Sequence, residues 1–514
     1  MASSNTNNRI VKNTLVLYVR MIVVLFIGLY SSRVILQSLG VIDYGIYNVV
    51  GSLVVMFSYL DSALSLAVTR FYSYEIPHGM DKVNMVFNTS FLIQVAFSII
   101  VFLLANTIGL WLVNYKMVIP ENRIFAANIV YQISILTSII SILSVPFNAS
   151  ITSHEDMQIY ALLSLVESIL KLVVAFLISK SPFDRLIFYS FGLLFISTLL
   201  FLFKFLYCRR HYDSDRFRRV FSKQLFKKMF SFVGWNFLGA TAGVSVGQGL
   251  NIVINIFFGP AVNAARGIAY QVQGAINQLV TNINMAVNPQ IIKRYSLGEY
   301  ESMFRLVFFS SKISTILLII VSLPIIIDAH YVLELWLKEV PNDAVLFTRL
   351  MLIYMITVSL TYSVNMSAQA SGKIKNMQIA ESVIILLNIP IVLMFFYFGL
   401  PAYTSFLSMI FFSLLSFIVK LFILQASIGF PIKEYVLHVL CRIVFLTIFC
   451  IILYLAATRF PIFSFWNFVL KTMVYILPLL IFIWIFVFES NEKIIVFQLI
   501  NRKLNDFLKS VKRF

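Results

Sequence analysis

Arg20, Asp61, Glu167, Lys171 and Lys312 stand inside long apolar runs, and Arg33 and Arg266 stand near the ends of the first and eighth runs. An ionised group in hydrocarbon is costly unless it is paired or wet, so each is a candidate for work and needs a partner. Arg20 and Asp61 fall at similar depth in the first two runs and can pair if those helices pack antiparallel. Glu167 and Lys171 are four residues apart, one helical turn, which lets opposite charges neutralise each other locally. These carboxylates, Asp61 and Glu167, are the ones to which a coupling cation could bind. Lys312 has no acidic partner on its own helix and is the best single candidate for meeting an anion. Its alternative is to snorkel toward the nearer membrane surface. Arg33 and Arg266, like Arg70, Lys293 and Arg294, have headgroup anchoring as the plainer reading. Lys204 and Lys420 are given no role beyond topology.

Polar but uncharged residues form three stripes that lipid would not tolerate: Gln248, Asn251 and Asn255; Gly274, Asn277, Thr281, Asn284 and Asn288; and Tyr354, Thr357, Thr361 and Asn365. Amides and hydroxyls can join helices, but three stripes in one half of a chain suggest a wet cavity whose donors and acceptors suit sugar hydroxyls. Gly239, Gly243 and Gly247 make a ridge expected to admit a neighbouring helix closely or to act as a pivot. Pro146, Pro289, Pro324 and Pro390 are expected to bend their helices. Nucleophile–base pairs, phosphate-binding glycine loops and metal-ligand spacings are absent from the sequence, and the five histidines are scattered. No metal or cofactor is expected, and uphill work would draw on an ion gradient of Na+ or H+, or on the membrane potential.

The elements that must position these residues follow from composition. The chain is 60% hydrophobic and 12% charged, with 50 phenylalanines in 514 residues, whereas soluble domains are roughly 45–50% apolar and about 25% charged. It reads as an all-α polytopic membrane protein. Apolar runs predict fourteen spans, near 13–35, 45–68, 85–108, 124–147, 158–179, 185–206, 229–258, 264–290, 303–327, 345–368, 378–398, 402–426, 436–457 and 465–488. The net charge of +18 lies mostly in alternate loops, which is a topological pattern and not the mark of a nucleic-acid partner. The loop holding Arg209, Arg210, Arg216, Arg218, Arg219, Lys223, Lys227 and Lys228 is therefore expected inside, with both termini. The first run lacks a cleavage site and is expected to stay as a span. The outer loops are short, which leaves no room for the catalytic domain of a membrane glycosyltransferase.

The halves echo one another about 220 residues apart. Lys12-Asn13-Thr14 answers to Trp235-Asn236-Phe237, Arg70-Phe71-Tyr72-Ser73 to Lys293-Arg294-Tyr295-Ser296, Met157-Gln158-Ile159 to Met377-Gln378-Ile379, and Lys204 to Lys420. Parallel repeats around a central site are a transporter design. The organisation expected is a six-helix bundle (1–206), a basic linker (207–228), a second six-helix bundle (229–426), two additional helices (427–488) and a basic amphipathic tail (489–514) fit to lie on headgroups.

The repeat, together with the turn Leu39-Gly40-Val41-Ile42-Asp43-Tyr44-Gly45-Ile46-Tyr47 and its counterpart Phe258-Gly259-Pro260 through Gly267, resembles the polysaccharide flippases of the multidrug/oligosaccharidyl-lipid/polysaccharide (MOP) exporter superfamily. The O-antigen and capsule repeat-unit branch is the nearest in pattern. The resemblance implies two bundles around a cavity that alternates between leaflets of the bacterial inner membrane, carrying an undecaprenyl-diphosphate-linked oligosaccharide outward. It implies that Arg20, Lys312, Arg33 and Arg266 meet the diphosphate, matched by helix and depth, and that polymerases and glycosyltransferases are partners besides membrane lipids. A multidrug or cation antiporter, a lipid II flippase and, in a different class, an integral glycosyltransferase are the alternatives.

Overall fold

In the computed structural model the described residues are 2–76, 79–154, 156–218, 222–371, 374–457, 459–460, 464–490 and 492–493. Side chains are described throughout these except in 2–22, 54–64, 66–67, 70, 73–74, 228, 230–242, 278–286, 289 and 296. Every regular element among them is helical. The longer helices are α1 (Ala2–Glu75), α2 (Met80–Leu104), α3 (Leu110–Tyr115), α4 (Ile124–Ser153), α5 (Met157–Ile178), α6 (Arg185–His211), α7 (Lys223–Phe258), α8 (Pro260–Ser296) and α9 (Tyr300–Ile327). They continue as α10 (Ala329–Leu337), α11 (Ala344–Ser371), α12 (Lys375–Leu386), α13 (Asn388–Tyr397), α14 (Thr404–Ile428), α15 (Ile432–Tyr435), α16 (Cys441–Ala457) and α17 (Phe465–Phe482).

Eleven helices among the described residues are long and apolar enough to cross a membrane, so the chain is a multi-pass membrane protein. The fourteen expected spans are not all recovered by that measure. The second expected run is continuous with the first inside α1, the seventh qualifies only as the shorter apolar piece Gly243–Phe258, and the eighth, α8, carries the amide stripe that lowers its hydropathy.

The internal repeat reappears in the backbone. Gly40 interrupts α1 with φ 78° and ψ 169°. Gly259, which separates α7 from α8, has φ 76° and ψ −178°. Only glycine adopts this region without strain, and the two stand at matching positions of the repeat. The break expected at Pro390 also occurs, because α12 ends and α13 begins around Leu387, where proline's missing N–H leaves the ladder open.

The described chain divides into two compact units, residues 1–271, 333–347 and 385–408, and residues 272–332, 348–384 and 409–514. In the first unit, Tyr72, Phe87, Phe147, Leu163, Ile196, Leu200 and Met229 form an apolar core. Beside it, the connection after α6 is tied down by buried amides. Asn84 Nδ2 donates to the carbonyls of Ser214 and Arg216 at 2.7 Å each, and Asn88 Oδ1 accepts from the Arg218 N–H at 3.0 Å. Asp215, buried in that connection, accepts from the Tyr72 hydroxyl at 3.3 Å. Burial pushes its carboxyl up to about 6 against the opposing bonds from Ser150, Ser214 and Tyr72 and the charge of His154. In the second unit, α16 and α17 are part of the main core, with Leu446, Tyr475, Leu479 and Val487 packed among Phe308, Leu323, Phe417 and Phe430.

Candidate functional site

A cavity of about 290 Å³ opens in the first unit between the part of α1 beyond Gly40, the end of α7 and the start of α8. Its walls are Tyr47, Asn48, Gly51, Ser52, Gly247, Gln248, Asn251, Arg266, Gly267, Tyr270 and Gln271. The repeat explains the arrangement, since Tyr47 and Asn48 follow Gly40 as Arg266 and Gly267 follow Gly259. Both stretches follow a positive-φ glycine and border the same cavity. Close packing is achieved where side chains are missing. A Cβ on Gly45 would lie 1.8 Å from the Pro260 carbonyl oxygen, and one on Gly267 would lie 2.8 Å from Asn48 Oδ1.

Arg266 is the cation of this cavity. It is 2% exposed, and its Nη2 donates to the Gly247 carbonyl at 2.8 Å and to the Tyr270 hydroxyl at 2.7 Å. Its guanidinium lies 4.5 Å from the Tyr270 ring centroid and 5.6 Å from that of Phe406, a geometry in which planar charge and ring face attract. Asn251 Nδ2 donates to the Asn48 carbonyl at 3.3 Å, and its Oδ1 accepts from Asn263 at 2.7 Å. Gln271 Nε2 donates to the Tyr44 hydroxyl, leaving Oε1 buried and without a hydrogen-bond partner. No carboxylate is among the described residues that line the cavity.

The other expected site residues divide sharply. Gln248 and Asn251 line the cavity, but Asn255 does not: it is 0% exposed, accepts from the Val118 N–H at 2.9 Å and donates to Asn263 at 3.0 Å, holding the α7–α8 junction. The glycine ridge of α7 is not a packing seam where it is described. Nothing lies within 4 Å of a Cβ at Gly243, and only the Tyr270 hydroxyl, at 3.9 Å, approaches one at Gly247. These glycines leave space, and Gly247 borders the cavity. In the second unit, Asn277 Oδ1 accepts from the Tyr362 hydroxyl at 2.8 Å, and the Thr361 hydroxyl donates within its own helix to Val358. Asn365 Oδ1 is buried without a partner, while Tyr354 and Asn288 are half-buried. Arg33 is half-buried on α1. The side chains of Arg20, Asp61, Thr281 and Asn284 lie outside those described.

Lys312 lines neither of the cavities formed by described residues. It is 1% exposed, and its ammonium donates to both oxygens of Glu492 at 2.9 Å, with Glu489 at 3.9 Å. His438 and Arg442 join Glu489 at 2.7 Å and 3.6 Å. Burial pushes the Glu489 carboxyl up, but the hydrogen bond from His438 and the charges of Lys312 and Arg442 hold it below its ordinary value. Residue spacing gave no warning, because the partner stands 180 positions away. The Glu167–Lys171 pair forms at 2.6 Å with both members about 40% exposed. Lys420, read as topological, is 2% exposed and bound to Glu381 at 2.5 Å, and Lys471 binds Asp328 at 2.6 Å. A hydroxyl seam also escaped sequence reasoning: Ser310 pairs with Ser363 at 2.8 Å and Thr315 with Ser359 at 2.9 Å, joining α9 to α11. At the Gly40 end of the first unit, Arg123 bridges Asp43 at 2.6 Å and Asp184 at 2.5 Å. Asp184 in turn accepts from the Leu186 and Ile187 amides and caps α6.

No protein-family model matches the chain, and no curated protein matches it. Its fold is nevertheless similar to that of solved transporters. One is an inward-facing multidrug resistance MATE family transporter of the MOP superfamily, with a TM-score of 0.69, 15% identity, and coverage of 80% of this chain and 98% of that one. Another is the lipid II flippase MurJ in an inward closed conformation, with a TM-score of 0.66, 17% identity, and coverage of 92% and 99%. A third is a MOP superfamily transporter from Pyrococcus furiosus, noted for reverse polarity of its binding pocket, with a TM-score of 0.51, 15% identity, and coverage of 81% and 96%. The chain has the fold of these transporters.

Proposed function

We propose that this protein is a flippase that moves an undecaprenyl-diphosphate-linked oligosaccharide from the cytoplasmic to the outer leaflet of the bacterial inner membrane by alternating access. The observation that carries the reading is the Arg266 cavity, a buried guanidinium among neutral amides and tyrosines with no carboxylate on its described walls. In surroundings of low dielectric such a charge attracts an anionic head group and repels a cationic one. Arg266 is accordingly the first residue assigned to the diphosphate, with Arg20 and Arg33 beside it in the proposal. Lys312, engaged by Glu492, is assigned an anchoring role instead. The neutral residues Gln248 and Asn251 are assigned to the glycan.

The same polarity speaks against a multidrug antiporter for organic cations, whose cavity would be expected to hold carboxylates. The lipid II flippase reading is closer, because its substrate is also a lipid-linked anion and MurJ's fold spans 92% of this chain. Energy is proposed to come from Na+ or H+ acting on Asp61 and Glu167, the latter in its pair with Lys171, or from the membrane potential. Polymerases and glycosyltransferases of the same surface glycan are the proposed partners, and both termini are proposed to lie inside.

The test is the leaflet distribution of lipid-linked oligosaccharide in cells with and without the protein. Inner-leaflet accumulation with loss of surface glycan is the expected result, and Arg266→Met should reproduce it with the protein still inserted. Unchanged glycan together with altered sensitivity to cationic drugs would transfer the case to the antiporter. Cell death on removal would transfer it to lipid II.

A further inference from the structure

We infer that Lys171 is a contact for the anionic head group in the first unit and that Glu167 is its built-in competitor, which holds the lysine until an anion arrives and takes it back when the anion leaves. The inference rests on the flippase reading and adds to it a release step at named side chains.

The two faces of α5 are the first argument. Leu162, Val166, Ile169 and Val173 recur every three or four residues and are 53%, 37%, 49% and 46% exposed, so they form one open apolar stripe. On the opposite side of the helix stand Ser164, Glu167, Ser168 and Lys171, all half-buried. A helix with two open sides gives the apolar one to hydrocarbon, and its charged side faces water, as ionised side chains in spans do. Glu167 stands near the middle of α5, so the charged side opens at mid-span. The neighbouring helices α4 and α6 carry no ionisable side chain between Tyr131 and His154 or between Tyr189 and Lys204, so neither supplies a competing charge there.

Accessibility is the second argument. Lys312, Lys420 and Lys471 are 1%, 2% and 9% exposed, and each ties its helix to another element. Lys171 is 45% exposed, and Glu167, its partner at 2.6 Å, is 39% exposed and on the same helix. Parting this pair therefore moves no helix and leaves nothing unbraced. An ammonium has three donors, and that of Lys171 gives one to Glu167 Oε1, so donors remain for a phosphate oxygen.

Exchange is the third argument. A half-exposed ion pair is weak, so a diphosphate with two charges displaces one carboxylate from the ammonium. A lysine without a competitor would hold the anion equally on both sides of the membrane and slow its departure. Glu167, one turn away, gives the ammonium an alternative partner throughout the cycle. The pair is neutral when no anion is bound, so the protein resets without a bare charge in its span.

The experiment uses the purified full-length protein in phosphatidylcholine nanodiscs, with undecaprenyl diphosphate carrying one N-acetylglucosamine as the probe, and measures affinity beside translocation in proteoliposomes. Glu167→Gln should bind the probe about fivefold more tightly than the wild type, the order of an exposed ion pair, and translocate it about fivefold more slowly. Lys171→Met should bind about tenfold more weakly, and the double variant should match it, because the carboxylate acts only through the lysine. The double variant leaves no charge in the middle of α5, so it keeps the test of the lysine where the stranded Glu167 of the single variant impairs insertion. Lys180→Met, which removes an equal charge just beyond the end of α5, should leave both readings unchanged. If Glu167→Gln binds no more tightly, or the double variant binds and translocates as the wild type does, the pair only neutralises charge for insertion. That result refutes the inference and leaves the flippase reading standing. Phosphatidylglycerol that displaces the probe at equal concentration would make the site an anchor for bilayer lipid, and would refute the inference equally. A wild type that binds no probe but binds rhodamine 6G would overturn the flippase reading, and the inference with it.

Discussion

Replacing Lys312 with alanine would abolish function whether the lysine binds substrate or braces the protein, so the informative perturbation is at its partner. Lys312 is 1% exposed and Glu492 13%, with both carboxylate oxygens 2.9 Å from the ammonium. At that separation and an effective dielectric near 20, the attraction is about 6 kcal/mol before desolvation is subtracted. Removing one partner of a buried pair costs about 3–5 kcal/mol, mainly because the other charge is stranded. Glu489, at 3.9 Å, compensates in part. Glu492→Gln should therefore destabilise the second unit by about 3 kcal/mol, which for a unit of this size lowers its melting temperature by about 6–12 °C. Lys312→Met should do comparable damage. The double variant, with neither charge left buried, should recover much of the loss. Thermal unfolding in nanodiscs measures all three, and leaflet distribution of the lipid-linked oligosaccharide is followed in parallel. If Glu492→Gln melts within about 1 °C of the wild type while Lys312→Met blocks translocation, and the double variant is no better, Lys312 acts on the substrate and the bracing argument is wrong.

Three further outcomes follow from named contacts. Arg123→Ala leaves Asp43 and Asp184 facing each other without their shared cation, and should destabilise the Gly40 end of the first unit by about 2–3 kcal/mol, read as faster hydrogen exchange at residues 184–190. Gly45→Ala drives a Cβ into the Pro260 carbonyl oxygen and should lower the yield of folded protein, whereas Gly51→Ala, entering open space, should not. Burial raises the Asp215 carboxyl to about 6 from its ordinary 3.8, so the folded state takes up a proton that the unfolded chain does not between those values. Stability of the connection after α6 should therefore fall as pH rises from about 4 to about 6, by about 2–3 kcal/mol in total. Asp215→Asn should flatten that slope in hydrogen exchange.

What could be read in the sequence was what lipid and local spacing dictate. Hydrocarbon requires long apolar helices, so α4, α5, α6, α9 and α16 fall close to the runs expected for them. The one-turn spacing of Glu167 and Lys171 yields their ion pair, and the glycine turns at Gly40 and Gly259 recur as matched backbone breaks. The cavity was half legible. Gln248, Asn251 and Arg266 were selected for their chemistry, while Tyr47, Asn48 and Gly51 were passed over because they belong to an ordinary turn-and-helix pattern in the first half. Superposing the repeats at the two glycines would have brought them together. Pairings such as Lys312 with Glu492, Lys420 with Glu381 and Lys471 with Asp328 join distant segments, and no local pattern specifies them. Asn255 was misassigned for a related reason, since an amide that satisfies a buried backbone group looks in sequence like one that faces water.

The distribution of charge separates bracing from recognition. In the second unit the span lysines 312, 420 and 471 each meet a carboxylate within 3 Å. Paired in this way, they contribute little field beyond their own helices, and Lys471 ties α17 to Asp328 at the end of α9. Arg266 differs in kind. Its described contacts include a carbonyl, a hydroxyl and two aromatic faces, which orient the guanidinium beside the cavity. Arginine keeps its proton where a buried lysine can lose one. In the proposed flippase, the guanidinium fixed beside this polar-walled cavity is the feature that Arg266→Met addresses.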